Sequence, residues 1–81
     1  MTDKVNRPAH YTQGPIECID VIEQVTRDMI GMEAVCTAKI IKYMWRWKDK
    51  NGVEDLRKAQ YYINRLIAAK EKAEALERYW T

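Results

Sequence analysis

The chain has 81 residues, 47% of them hydrophobic and 32% charged, with 14 Lys and Arg against 12 Asp and Glu. A chain this short supports one domain and buries roughly 60–65% of its unfolded surface, so a doubly wound nucleotide-binding sheet, a barrel or a P-loop kinase core does not fit. The net charge of +2 and the apolar fraction exclude a disordered chain.

Residues 1–15 read as an extended arm. They hold both prolines, Pro8 and Pro15, together with Gly14, and these resist regular structure. From Glu17 the pattern turns helical, with Cys18, Ile19, Ile22, Val25 and Met29 on one side and Glu17, Asp20, Glu23 and Gln24 on the other. Gly31 is expected to end this first helix or its trailing turn.

A second helix is predicted from about Met32 to Lys48. Ala34, Ile40, Ile41, Met44, Trp45 and Trp47 share its apolar arc, and Lys39, Lys42, Tyr43, Arg46 and Lys50 lie opposite. Asn51-Gly52 reads as a helix-to-helix turn, with Asn51 and Glu54 spaced as a capping box. The third helix then carries Leu56, Ala59, Tyr62, Ile63, Leu66, Ile67 and Ala73 on one face.

The expected fold is therefore all-α: an arm over 1–15, a three-helix core over 16–67 and a helical extension over 68–81. The extension is rich in Ala, Lys and Glu, which favour helix but bury little. It ends in Tyr79-Trp80, and it reads either as a solvated tail or as a helix that packs on a partner subunit. A core this small gains from association, so a homo-oligomer is expected.

No run of about 18 uncharged apolar residues is present to cross a membrane. The start, Met1-Thr2-Asp3-Lys4, lacks a signal peptide's apolar core, so a cytoplasmic location is expected. Cys18 and Cys36 have no neighbouring ligand at zinc-binding spacing and read as reduced, buried thiols. Glu17 and Asp20 form one ExxD pair, and a second pair suitably placed for Mg²⁺ is lacking, so no metal is assigned.

The motifs of common enzymes are missing. There is no phosphate loop, no GxSxG and no HExxH, and serine does not occur in the chain. The informative run is Lys39 to Lys50. Lys42 and Arg46, four apart, project side by side as a phosphate clamp would require. Lys39 and Lys50 enlarge the positive patch, and Tyr43 offers a stacking face. The same run also fits a solvated basic face, the commonest meaning of such a pattern, or a nucleic-acid surface. Net charge argues against the last.

His10, with Tyr11 beside it, lies in a segment with little to bury, and histidine exchanges protons near neutral pH. Asp55 reads in two ways. It forms a surface ion pair with Lys58, or it reaches across the turn to hold Arg46 or Lys42 rigid.

The runs Asn6-Arg7-Pro8-Ala9-His10-Tyr11, Ile16 to Ile22, Lys42-Tyr43-Met44-Trp45-Arg46-Trp47 and Lys50-Asn51-Gly52-Val53-Glu54-Asp55-Leu56-Arg57-Lys58-Ala59 resemble a family of small bacteriophage proteins. Most of its members are uncharacterised and some, longer than this chain, carry the label nucleotide kinase. The resemblance implies phage origin, action inside an infected bacterium and a nucleotide-related ligand. It carries over onto His10, Tyr11, Glu17, Lys42, Tyr43, Arg46, Lys50, Asp55 and Lys58. Where the family usually shows Gly-Asn before Lys42, this chain has Thr37-Ala38.

The leading expectation is a small helical protein that grips a phosphorylated nucleotide, sequestering a host signalling nucleotide or managing nucleotide pools. His10, Tyr11, Lys39, Lys42, Tyr43, Arg46, Lys50 and Lys58 are the candidate ligand residues, and binding needs no cofactor. The alternative enzyme is a nucleoside monophosphate kinase, with His10 or Asp55 as proton acceptor and Mg²⁺ taken from solution. A third reading is a nucleic-acid-binding module or an inhibitor of a host protein.

Overall fold

The computed structural model describes residues 15–80. It contains three helices, α1 (Cys18–Thr26), α2 (Gly31–Arg46) and α3 (Val53–Trp80), and no strand among the described residues. The expected all-α class is observed. No helix of the described residues is long and apolar enough to cross a membrane. The arm up to residue 14 lies outside the described residues.

Helix α1 begins where the Glu17 carbonyl, in extended backbone, accepts the N–H groups of Asp20 at 3.1 Å and Val21 at 3.3 Å. Asp20 in the first turn suits the positive end of the helix dipole. Cys18 is buried and Val21 and Ile22 are half-buried, whereas Ile19 and Val25 are exposed. The inward stripe is thus rotated from the expected one towards Val21, because α1 is short and packs chiefly along α2. Near its end the Thr26 hydroxyl donates to the Ile22 carbonyl at 2.7 Å. Gly31 does not close α1. It opens α2 with a φ of +58°, a left-handed conformation that glycine adopts without strain.

Helices α2 and α3 form an antiparallel hairpin and share the largest interface of the molecule. Between them the Gly52 N–H reaches back to the Trp47 carbonyl at 2.7 Å, and the Asp49 N–H donates to the Arg46 carbonyl at 3.1 Å. Gly52 has a φ of +56°, which turns the chain directly into α3. Since α3 starts at Val53, Gly52 rather than Asn51 stands before its first turn. The expected Asn51–Glu54 capping box is out of register, and the Asn51 amide donates instead to Asp55.

The hairpin also shifts the inward face of α2 from the expected one, although Ala34, Ile40, Ile41, Trp45 and Trp47 of the expected arc stay half-buried. Its buried residues are Cys36, Tyr43 and Arg46, two of which were expected on the outer, basic face, while Met44 from the apolar arc is 48% exposed. On α3 the buried residues are Asp55 and Ala59, with Tyr62 and Leu66 half-buried one and two turns further on. Ala59 is fully inaccessible, and its small side chain lets the two helices approach closely.

At about 1.5 Å per residue α3 is roughly 42 Å long against 24 Å for α2, and it continues past residue 67 without a break. Lys70 meets Glu33 at 3.3 Å near the end of the overlap, and every residue from Glu71 to Trp80 is exposed. The molecule is accordingly elongated, 57 × 28 × 18 Å.

Two substitutions test this packing. Ala59→Leu should overfill the α2–α3 contact and lower stability by about 1–3 kcal/mol in urea unfolding. Gly52→Ala meets no atom within 4 Å, so its cost should be the backbone strain alone, about 1 kcal/mol.

Candidate functional site

The centre of the site is a buried ion pair. Asp55, in the first turn of α3, is fully inaccessible, and Arg46, at the last turn of α2, is 7% exposed. Arg46 Nε donates to Asp55 Oδ2 at 3.2 Å and Arg46 Nη2 to Oδ1 at 3.3 Å, a two-pronged contact that matches the planar guanidinium to the carboxylate. Asn51 Nδ2 adds a third donor to Oδ1 at 3.2 Å. Burial pushes the Asp55 carboxyl up. The hydrogen bonds from Arg46 and Asn51, with the Arg46 charge, outweigh that push and hold its pKa below the ordinary value.

Of the two readings of Asp55, the structure contains the one across the turn. Lys58, the other reading's partner, pairs with Glu54 at 3.3 Å on the helix surface. Arg46 is therefore a strut between the helices rather than a cation held out to solvent beside Lys42.

Around this strut stands a pad of tyrosines and cations. Tyr43 on α2 stacks with Tyr62 on α3, with ring centroids 6.1 Å apart and planes at 16°. Tyr61 meets Tyr62 edge-on at 5.0 Å, and Arg65 Nη1 donates to the Tyr61 hydroxyl at 3.2 Å. Arg46 Cζ lies 5.1 Å from the centre of the Tyr43 ring, Lys58 Nζ 5.7 Å and Lys42 Nζ 5.8 Å; Lys39 Nζ lies 5.7 Å from the centre of the Tyr62 ring. The electron-rich ring faces attract these cations.

The charges do not all have the same company. Arg46 is balanced by Asp55 and Lys58 by Glu54. Lys39 and Lys42 face rings, and among the described residues no carboxylate lies within ion-pair distance of either. Lys42 also acts on α1: burial raises the pKa of the Cys18 thiol, and the nearby Lys42 charge opposes that rise.

The candidate residues thus separate. Lys39, Lys42, Tyr43, Arg46 and Lys58 come together in the pad. Lys50 is exposed in the turn between α2 and α3. His10 and Tyr11 lie outside the described residues. Tyr43 is buried, with cations over its ring, so it supports the pad and does not offer the open stacking face expected of it. Tyr61, 53% exposed, and the half-buried Tyr62 are the pad's rings open to solvent. Sequence reasoning placed Tyr62 on a packing stripe and gave Tyr61 no role. The adjacent tyrosines, one turn beyond Lys58, were the available signal. Among the described residues no three His, Cys, Asp or Glu side chains are grouped as a metal-ligand set.

Removing one half of the strut should be severe. Asp55→Asn takes away the carboxylate charge that faces the buried Arg46 guanidinium, and a loss of about 3–5 kcal/mol is expected in a thermal or urea melt. The pH dependence follows from the lowered pKa. Above the unfolded carboxyl's value of about 4 the contribution of Asp55 is complete, and it is lost as pH falls towards the lower folded value. The wild type should lose stability over that acid interval, and Asp55→Asn should lack this component of the slope.

No curated protein and no solved structure matches the chain. The model of the DUF3310 family, whose description is a protein of unknown function, matches residues 5–64, about three-quarters of the chain, including the whole of α1, α2, the turn and all of the tyrosine–cation pad except Arg65. The chain belongs to the DUF3310 family.

Proposed function

We propose that this protein binds a phosphorylated nucleotide on the pad, with phosphate oxygens on Lys39, Lys42 and Lys58 and the base against Tyr61 and Tyr62. The observation that carries the proposal is the pair of lysines, Lys39 and Lys42, held over tyrosine rings and unneutralised by a carboxylate among the described residues. Ammonium groups suit phosphate as compact charges, and an aromatic ring suits a base of any identity. The Arg46–Asp55 strut supports the reading by fixing α2 against α3, since a preformed site spends less of its affinity on ordering side chains.

Resemblance to small phage proteins adds the setting: a phage protein, working as a homo-oligomer in the cytoplasm of an infected bacterium, that sequesters a host signalling nucleotide or manages nucleotide pools. Binding without turnover fits a site made of lysines and rings. The nucleic-acid reading has less support, because Trp45 and Trp47 are half-buried and the net charge is only +2.

The test is a thermal-shift and calorimetric titration with nucleoside mono-, di- and triphosphates and cyclic dinucleotides, with and without Mg²⁺. A ligand at one hundred times its dissociation constant should stabilise the fold by about 2.7 kcal/mol. Lys42→Ala and Lys39→Ala should each weaken that binding by about tenfold or more while leaving the helical spectrum unchanged, tenfold being about 1.4 kcal/mol. A shift that needs a monophosphate and a triphosphate together would favour the kinase reading. No shift with any nucleotide would refute the proposal.

A further inference from the structure

The two flanks of the α2–α3 seam differ in chemistry. Tyr43, Lys39, Tyr62 and Lys58 occupy one flank. One residue further along each helix, a rotation of about 100° in the same sense, stand Met44 and Ile40 on α2 and Ile63 on α3, and these line the other flank. There Met44, Val53, Leu56 and Ile63 border one shallow depression, and Ile40, Ile63, Leu66 and Ile67 border a second. Ile63 belongs to both, so they are two halves of one apolar groove running along the hairpin.

The groove leaves several large apolar side chains open to solvent. Only Cys18, Cys36, Tyr43 and Ala59 are buried hydrophobic residues, whereas Met44 is 48%, Ile63 39% and Ile67 49% exposed among the described residues. Covering this flank with another surface would add apolar burial to the small core of the described residues.

We propose that this flank is the docking face for a second copy of the chain, with α3 of one copy antiparallel to α3 of the other. The argument for a second copy is the charge at the two ends of the groove. Arg57 lies at the Val53 end and Glu71 and Glu74 lie at the opposite end, while Lys70 there is already taken by Glu33. A two-fold interface brings each residue against its counterpart reciprocally. The midpoint between positions 63 and 67 is residue 65, and the midpoint between 57 and 74 falls between residues 65 and 66. A single two-fold axis near residue 65 therefore sets Ile63 against Ile67 of the second copy and Arg57 against Glu74 of the second copy, each twice.

The dimensions fit a modest dimer. From Val53 to Glu74 the groove runs about 30 Å at 1.5 Å per residue, and with the α2 side chains it is about 15 Å wide, on the order of 450 Å² per copy. Two such faces approach the lower limit for a specific interface, which predicts association that depends on concentration. The end charges then set orientation more than strength. The tyrosine–cation pad lies on the other flank, so this inference does not depend on the nucleotide reading.

The full chain should be examined by sedimentation velocity and native mass spectrometry over a concentration series. The mass should move from one chain to two across the micromolar range. Ile63→Asp, at a position with access to solvent, should leave a monomer with an unchanged helical spectrum. Arg57→Glu should weaken dimerisation about tenfold or more, and Arg57→Glu with Glu74→Arg should restore it. That recovery cannot arise from misfolding, so the test holds even where Ile63→Asp fails to fold. A single-chain mass at every concentration, an assembly of another order, association indifferent to the charge changes, or a double variant that fails to recover would each overturn the proposal.

Discussion

A carboxylate with no access to water sits in the first turn of α3, and its counter-ion comes from the last turn of α2. Desolvating either charge alone is strongly unfavourable, so the two helices are obliged to meet where Arg46 and Asp55 can satisfy each other. This constraint fixes more than one contact. It sets the angular position of α2 by turning Arg46, and with it Tyr43, inwards. It sets the register of the hairpin, which then carries Tyr43 to Tyr62 and Glu33 to Lys70. Asn51 in the turn donates to the same carboxylate, so the connection is tied to the pair it encloses.

Turning Arg46 inwards has a second effect, on the flanks of the seam. If Met44 and Ile40 had pointed at α3, the lysines would have been spread over an outer face with water around each. With Tyr43 at the seam instead, Lys39 and Lys42 fall beside tyrosine rings on one flank and Met44 emerges on the other. A polar interaction in the interior thus accounts for both the concentration of positive charge and the exposed apolar groove. The hairpin gains specificity of arrangement from the pair. Whether it gains net stability over an apolar pair depends on the same desolvation that makes the pair so intolerant of single substitutions.

Much of this architecture was legible in the sequence. The helical periodicity of three segments, the breaking turn at Asn51-Gly52 and the absence of strand patterning were sufficient for an all-α hairpin with an added helix. The inward face of α2 was not legible from apolar counting, for a definite reason. Such counting scores Arg46 as a solvent residue and Met44 as a core residue, but the decision rests on Asp55, nine positions later and on another helix. A carboxylate just beyond a tight turn, with an arginine just before it, is the pattern that signals the alternative. Lys39 and Lys42 of the pad stand out in the basic run of α2 and Lys58 through the resemblance, while the places of Tyr61 and Tyr62 depend on the register of the hairpin. The Asn51–Glu54 capping box failed for a related reason: with Gly52 left-handed, α3 begins one residue later than that box requires.

The unequal lengths of α2 and α3 divide the long helix into two thermodynamic regimes. Up to Lys70, backbone hydrogen bonds in α3 are backed by a neighbouring helix, so opening them requires the hairpin to separate. Beyond Glu71 the side chains are all exposed, apart from mutual contact between Tyr79 and Trp80, whose rings meet edge-on at 5.7 Å. That portion of the helix is held by its own propensity and by continuity with the turns before it, and helix ends so placed open by fraying rather than by global unfolding. Amide hydrogen exchange along a single unbroken helix would accordingly fall into two classes, with slow exchange reporting on the Arg46–Asp55 hairpin and fast exchange on a helical rod whose folding is borrowed from it.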